Sequence, residues 1–134
     1  MSSSVNPVVR SLIVCQEIIT DPSNRKRVSL MNLIHSIRSL EEPAYPLLYQ
    51  QLCVFVQLTG CRGPGEVRVA IREADTGEVV FGTPTRSAPF PENPLSLHGL
   101  KFRIRDCRFP APGLYWVEFW FNNTILAQQP IVLC

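Results

Sequence analysis

F-P-A-P-G-L-Y-W-V-E-F-W-F-N-N-T-I-L-A-Q-Q-P-I-V-L-C, residues 109–134, is the stretch that decides the fold class. Pro110, Pro112 and Gly113 end whatever precedes it. Tyr115, Val117, Phe119 and Phe121 then alternate with Leu114, Trp116, Glu118 and Trp120. Successive side chains of a strand point to opposite faces, so this is the period of a β-strand. Asn122-Asn123 suits a two-residue turn, because Asn tolerates the positive φ that hairpin turns require. Thr124 to Leu133 returns as the partner strand. The spacing predicts one long C-terminal hairpin.

Working back toward the N-terminus, the same punctuation recurs. The 134 residues carry seven Gly and twelve Pro, which fall between apolar runs. Strands are expected over 11–20, 47–59, 66–73, 78–82 and 95–105. Asp75-Thr76-Gly77 is expected to close a tight hairpin, and Thr83–Pro94 to be irregular. Residues 28–39 fit two patterns. Leu30, Leu33, Ile34 and Ile37 have helical spacing, while Met31, Leu33, His35 and Ile37 alternate. A strand with a bulge satisfies both, since a bulge shifts the alternation by one residue. Asp21-Pro22-Ser23-Asn24 ahead of it reads as a hairpin turn. The sum is about eight short strands with turns every 8–12 residues or so, the mark of an all-β antiparallel sandwich of immunoglobulin-like or C2-like proportions. At 46% hydrophobic residues, one domain spanning 1–134 has enough apolar content for a core, with residues 1–9 expected as a flexible N-terminus.

Composition narrows the function. A net charge of +2, from eleven Arg and two Lys against eleven acidic residues, gives no nucleic-acid footprint. The one basic run, Arg25-Lys26-Arg27, reads as a solvated loop beside a turn. No apolar run approaches the roughly 20 residues that span a bilayer, and the N-terminus lacks a signal-peptide pattern, so the expected location is cytoplasmic. Five cysteines, an odd number, agree with a reducing compartment.

Motifs for chemistry are missing: no G-x-S-x-G, H-E-x-x-H, G-x-x-x-x-G-K-[ST] or G-x-G-x-x-G, and no C-x-x-C. Gly60 to Gly63 forms a G-x-x-G between antiparallel strands, without the helix N-terminus that would cradle a phosphate. Asp21, Asp75 and Asp106 stand apart, so no calcium site is read. Neither a metal nor a cofactor is expected. Cys15 and Cys53 read as core hydrophobes, and Cys61 and Cys107 as turn residues. An enzyme would need His98, Asp106 and Cys107 to converge in one cleft.

The candidate binding site is a surface. With the odd-numbered aromatics of the hairpin inside, Trp116 and Trp120 face outward around Glu118. If the strand over 95–105 pairs with this hairpin, Lys101, Arg103 and Arg105 join the same face, and Arg–Trp stacking and Glu–Arg pairing follow. Such a face is either a self-satisfied ladder, with Arg stems covering the rings, or a contact surface, since Trp and Arg concentrate at interface hot spots. The expected role is a non-enzymatic protein-interaction or assembly module, self-association included. A sheet edge at Ile131–Leu133, limited by Pro130, is a second way to hold a partner. The reading from another class is a small-ligand or carbohydrate binder with the two Trp rings as a stacking platform and a groove near Thr83–Pro94.

Three elements carry a resemblance: S-L-I-V-C-Q-E at 11–17, R-V-S-L-M-N-L-I-H-S-I at 27–37, and F-P-A-P-G-L-Y-W-V-E-F at 109–119. Together they resemble an uncharacterised bacterial family of small stand-alone domains of unknown function. The resemblance implies an all-β fold over nearly the whole chain. It brings no activity and no catalytic residues, because its motifs are turn prolines, a turn glycine and core aromatics.

Overall fold

Alternating segments become strands throughout. Among the residues that the computed structural model describes (6–88, 93 and 95–134), the strands are β1 (Val8–Asp21), β2 (Asn24–Leu33), β3 (Ser36–Ile37), β4 (Leu47–Thr59), β5 (Gly65–Glu73), β6 (Val79–Gly82), β7 (Arg86–Ala88), β8 (His98–Phe109), β9 (Gly113–Phe121) and β10 (Thr124–Leu133), and there is no helix. They form two sheets. One has the order β2-β1-β4-β8, antiparallel throughout. The other has the order β3-β10-β9-β5-β6, with β7 also on β5 and β3 running parallel to β10.

The sheets pack face to face. Leu52, Val54, Val56 and Leu58 of β4 and Phe102 and Ile104 of β8 meet Val67, Val69 and Ile71 of β5 and Val117, Phe119 and Phe121 of β9 in one core. Two edge-on aromatic pairs join the sheets, Phe102–Phe119 at 6.2 Å between ring centroids and Phe109–Tyr115 at 5.0 Å.

The closing hairpin forms as the sequence predicts. Asn122 and Asn123 hold φ of 45° and 64°, the left-handed pair that a tight hairpin turn demands. The Asn122 side chain also accepts a hydrogen bond from the Glu66 amide at 2.9 Å, tying the turn to β5. Asp21 closes β1 into β2 by accepting from the amide and hydroxyl of Ser23. These bonds hold the Asp21 carboxyl below its usual range.

Segment 28–39 is a strand rather than a helix. It is interrupted after Leu33, and Asn32 sits at a φ of 57°, so the alternation shifts there. Of the expected flexible N-terminus, residues 1–5 lie outside the described residues, but Val8 and Val9 are already paired with Thr59 and Leu58. Cys107 is not in a turn. Asp106, at a φ of 55°, interrupts the alternation of β8 and turns Cys107 and Phe109 into the core. Part of the Thr83–Pro94 stretch, 89–92 and 94, lies outside the described residues; Arg86–Ala88 within it is a strand on β5.

The condition that would bring Lys101, Arg103 and Arg105 to the hairpin is not met. The strand over 95–105 does not pair with the hairpin. β8 pairs with β4, and the connection Pro110–Pro112 carries the chain across to the other sheet. Proline has no N–H to continue a ladder, so the chain leaves one sheet at Phe109 and enters the other at Gly113. The Tyr115 hydroxyl secures the crossing by donating to the Ala111 carbonyl at 2.6 Å.

Candidate functional site

Outward residues of β9 and β10 build a surface strip. Alternation places Leu114, Trp116, Glu118 and Trp120 outward, and antiparallel register sets them opposite Val132, Pro130, Gln128 and Ile125. Apolar pairs therefore flank one polar pair along the strip. Leu114, Ile125 and Val132 are 38%, 40% and 43% exposed, and both Trp rings are half-buried.

The cations beside the tryptophans come from β5, not β8. Arg68 lies opposite Trp120 and Arg72 opposite Trp116. The Arg68 guanidinium sits 4.0 Å from the centroid of the Trp120 ring. Arg72 Nε donates to Glu118 Oε2 at 3.1 Å, and Trp120 Nε1 donates to Glu118 Oε1 at 3.2 Å. Arg72 also donates through Nη1 to the Gly77 carbonyl at 2.7 Å, anchoring the β5–β6 turn. Glu118 is only 3% exposed, and both its oxygens are engaged. A carboxylate buried to this degree is tolerable because it is paired and hydrogen-bonded.

The face is thus a self-satisfied ladder with an apolar margin. Arg–Trp stacking and Glu–Arg pairing occur as the residue types predict, but with Arg68 and Arg72 as the partners. Alternation over 66–73 puts Arg68 and Arg72 on the face opposite the buried Val67, Val69 and Ile71, and strand pairing supplies the neighbour relation. An open two-ring stacking platform is not formed, since Arg68 covers Trp120.

Lys101, Arg103 and Arg105 lie on the opposite side of the molecule, on the outer face of the four-stranded sheet. There they stand across from Phe55, Cys53 and Gln51 of β4. This face is covered by its own layer. Beyond Cys15, β1 leaves β4, and the β1–β2 hairpin bends over the sheet so that Ile18 packs on Cys15, Cys53 and Phe55, with Val28 and Leu30 against them. Arg103 donates to the Ile18 carbonyl at 3.2 Å, and Lys101 Nζ donates to the Thr20 hydroxyl. Lys101 and Arg103 therefore fasten the hairpin down, and Arg105 is exposed.

Four of the five thiols are buried and structural. Burial pushes Cys15 up to about 11 and Cys107 up to about 12, and raises Cys53 and Cys61 as well. Each is then a protonated thiol at neutral pH rather than the thiolate a nucleophile requires. Cys107 faces the core while the neighbouring Asp106 is exposed, and His98 stands at the other end of β8, roughly 30 Å away at strand rise. His98, Asp106 and Cys107 do not share a cleft.

The sheet edge at Ile131–Leu133 is partly taken. Val132 and Leu133 pair with Ser36 and Ile37 of β3. β3 is only two residues long, so no strand pairs with β10 on that side over Thr124–Pro130 among the described residues.

The model of a family of unknown function, DUF6941, matches residues 10–133. No curated protein matches the sequence. Among solved structures, the chain is similar to Pseudomonas fluorescens alkylpurine DNA glycosylase AlkC bound to DNA containing an abasic site analog, with a TM-score of 0.54 and 12% identity. The alignment covers 98% of this chain and 31% of that one. At this identity the likeness is one of fold.

Proposed function

The chain belongs to DUF6941, a family of unknown function, and from its surface we propose that it is a non-enzymatic interaction module that associates through the outer face of β9 and β10. The observation that carries the reading is the strip itself: Leu114–Val132, Trp116–Pro130 and Trp120–Ile125 form exposed or half-exposed apolar pairs in register. Its side chains are held in place by the Arg72–Glu118–Trp120 bonds and the Arg68 stack. A surface ordered before binding loses less side-chain entropy on association. Trp and Arg at its centre have the composition of interface hot spots. The simplest partner is a second copy, because a flat face can be self-complementary about a two-fold axis.

An immunoglobulin-like or C2-like identity, a bacterial origin and a cytoplasmic setting belong to the same proposal. The first is supported by the two packed sheets and by the Tyr115 hydroxyl bonding back to Ala111, as at the corners of immunoglobulin-like domains. The second is supported by the motifs at 11–17, 27–37 and 109–119, and the third by five cysteines that all stand as free thiols. The DNA of the glycosylase structure belongs to that protein, and a net charge of +2 gives no reason to carry it over.

Light scattering on the purified chain tests the association. The expected result is a dimer for the wild type and a folded monomer for Trp116→Ala/Trp120→Ala. Leu114→Lys, which leaves the stack and the ion pair alone, should also give a monomer. A wild type that is monomeric at high concentration removes self-association through this face. A dimer that survives both variants places the contact elsewhere.

A further inference from the structure

The bend of the β1–β2 hairpin creates a pocket on the far side of the molecule from the tryptophan strip. Its volume is about 390 Å³, and its lining includes Arg25 and Lys26 of β2, Phe55 and Gln57 of β4, and His98 and Lys101 of β8. No carboxylate lines it among the described residues. Sequence alone reads Arg25-Lys26-Arg27 as a solvated loop. In the fold, Arg27 turns to Asp21 at 3.9 Å, while Arg25 and Lys26 are carried to the pocket wall.

Arg25, Lys26 and Lys101, basic residues from two distant parts of the chain, thus line one small space, the first two from its exposed rim. None of them is in an ion pair; among the described residues those are Arg27–Asp21 and Arg72–Glu118. Like charges gathered at a concave, partly apolar surface repel, and an anion between them reverses the sign of that interaction. The arrangement is also held from beneath. Lys101 is tethered to Thr20 on the underside of the hairpin, and Gln57 is oriented by the Ser11 hydroxyl, which donates to its Oε1 at 2.8 Å. Arg offers a fork for two oxygens and Lys a point charge, a combination that fits a tetrahedral dianion better than a single carboxylate.

We propose that this pocket binds the phosphate group of a small phosphorylated molecule. Its volume stands near the lower end of the roughly 300–1,000 Å³ of small-molecule sites. That leaves space for one or two phosphate groups and a small organic remainder against Phe55. The site is independent of the β9–β10 strip.

The test is a titration of the full chain with inorganic pyrophosphate near physiological salt, followed by amide chemical shifts. Saturable shifts at residues around 25–28, 55–57 and 96–101 are expected. Arg25→Gln/Lys26→Gln should weaken binding about tenfold or more, the worth of a charged hydrogen bond. Lys101→Met should do the same, but it also releases the hairpin from Thr20, so the double variant on the exposed strand carries the test if Lys101→Met does not fold. Arg105→Gln, on the same face but outside the pocket, should bind as the wild type does. The proposal is overturned by shifts that never saturate, by a response that survives the double variant, or by an equal loss in Arg105→Gln. Binding of a single-stranded oligonucleotide without any response to pyrophosphate also overturns it, since that would place the phosphate on a polymer.

Discussion

Tyr115 shows how much one side chain decides here. Its ring is fully buried against Phe109, yet its hydroxyl reaches the Ala111 carbonyl and secures the Pro-bounded crossing between the sheets. Phe in its place would keep the ring and leave that carbonyl without its donor. Tyr115→Phe should lower the unfolding free energy by about 1–2 kcal/mol in a denaturant titration, with an unchanged slope because the fold is retained. Asp106 acts by backbone alone. Its positive φ shifts the phase of β8, and Cys107 and Phe109 enter the core where unbroken alternation would have pointed them out.

Between elements, the informative unit is the β5–β9 ladder. β9 supplies the buried Glu118 and β5 the Arg72 that compensates it, with Trp120 engaging the second oxygen. Removing the cation strands a carboxylate in a site built to exclude water. Arg72→Ala should cost about 3 kcal/mol in thermal or chemical unfolding, whereas Arg72→Ala/Glu118→Leu should recover much of that loss. A double variant no more stable than Arg72→Ala would mean that Arg72 acts through the Gly77 turn instead. On the other sheet, the β1–β2 hairpin is an element used twice: its underside extends the apolar layer over Cys53 and Phe55, and its edge brings Arg25 and Lys26 to the pocket.

At the scale of the whole molecule, stability depends on the two sheets staying in contact. Phe119 is fully buried and meets Phe102 across the interface at 6.2 Å. Phe119→Ala should cost about 3–5 kcal/mol, a large part of the 5–15 kcal/mol typical of a domain, and would lower the melting temperature by more than 10 °C or so. A loss below about 1 kcal/mol would mean that the inter-sheet core re-closes around the gap. The same stacking of sheets gives the molecule two outer faces of different character. One presents an aromatic strip, and the other is overlaid by a hairpin beside a pocket lined by basic residues. On the two proposals made above, the first face holds a partner and the second a small anion.

Read alone, the sequence determined the class of fold, most strand positions, the closing turn and the alternate facing of Leu114–Phe121. Each of these follows from neighbours one or two positions apart, where alternation and turn chemistry act. It also placed Trp116, Glu118 and Trp120 outward together. Tertiary structure alone decided that Arg68 and Arg72, rather than Arg103 and Arg105, meet them, because strand pairing joins residues more than 40 positions apart and alternation does not encode which strand lies alongside. The bend that folds the β1–β2 hairpin over Cys53 and Phe55 is equally non-local. It depends on β8 reaching Ile18 and Thr20 from more than 80 residues away, and so the pocket it forms could not be read from either segment by itself.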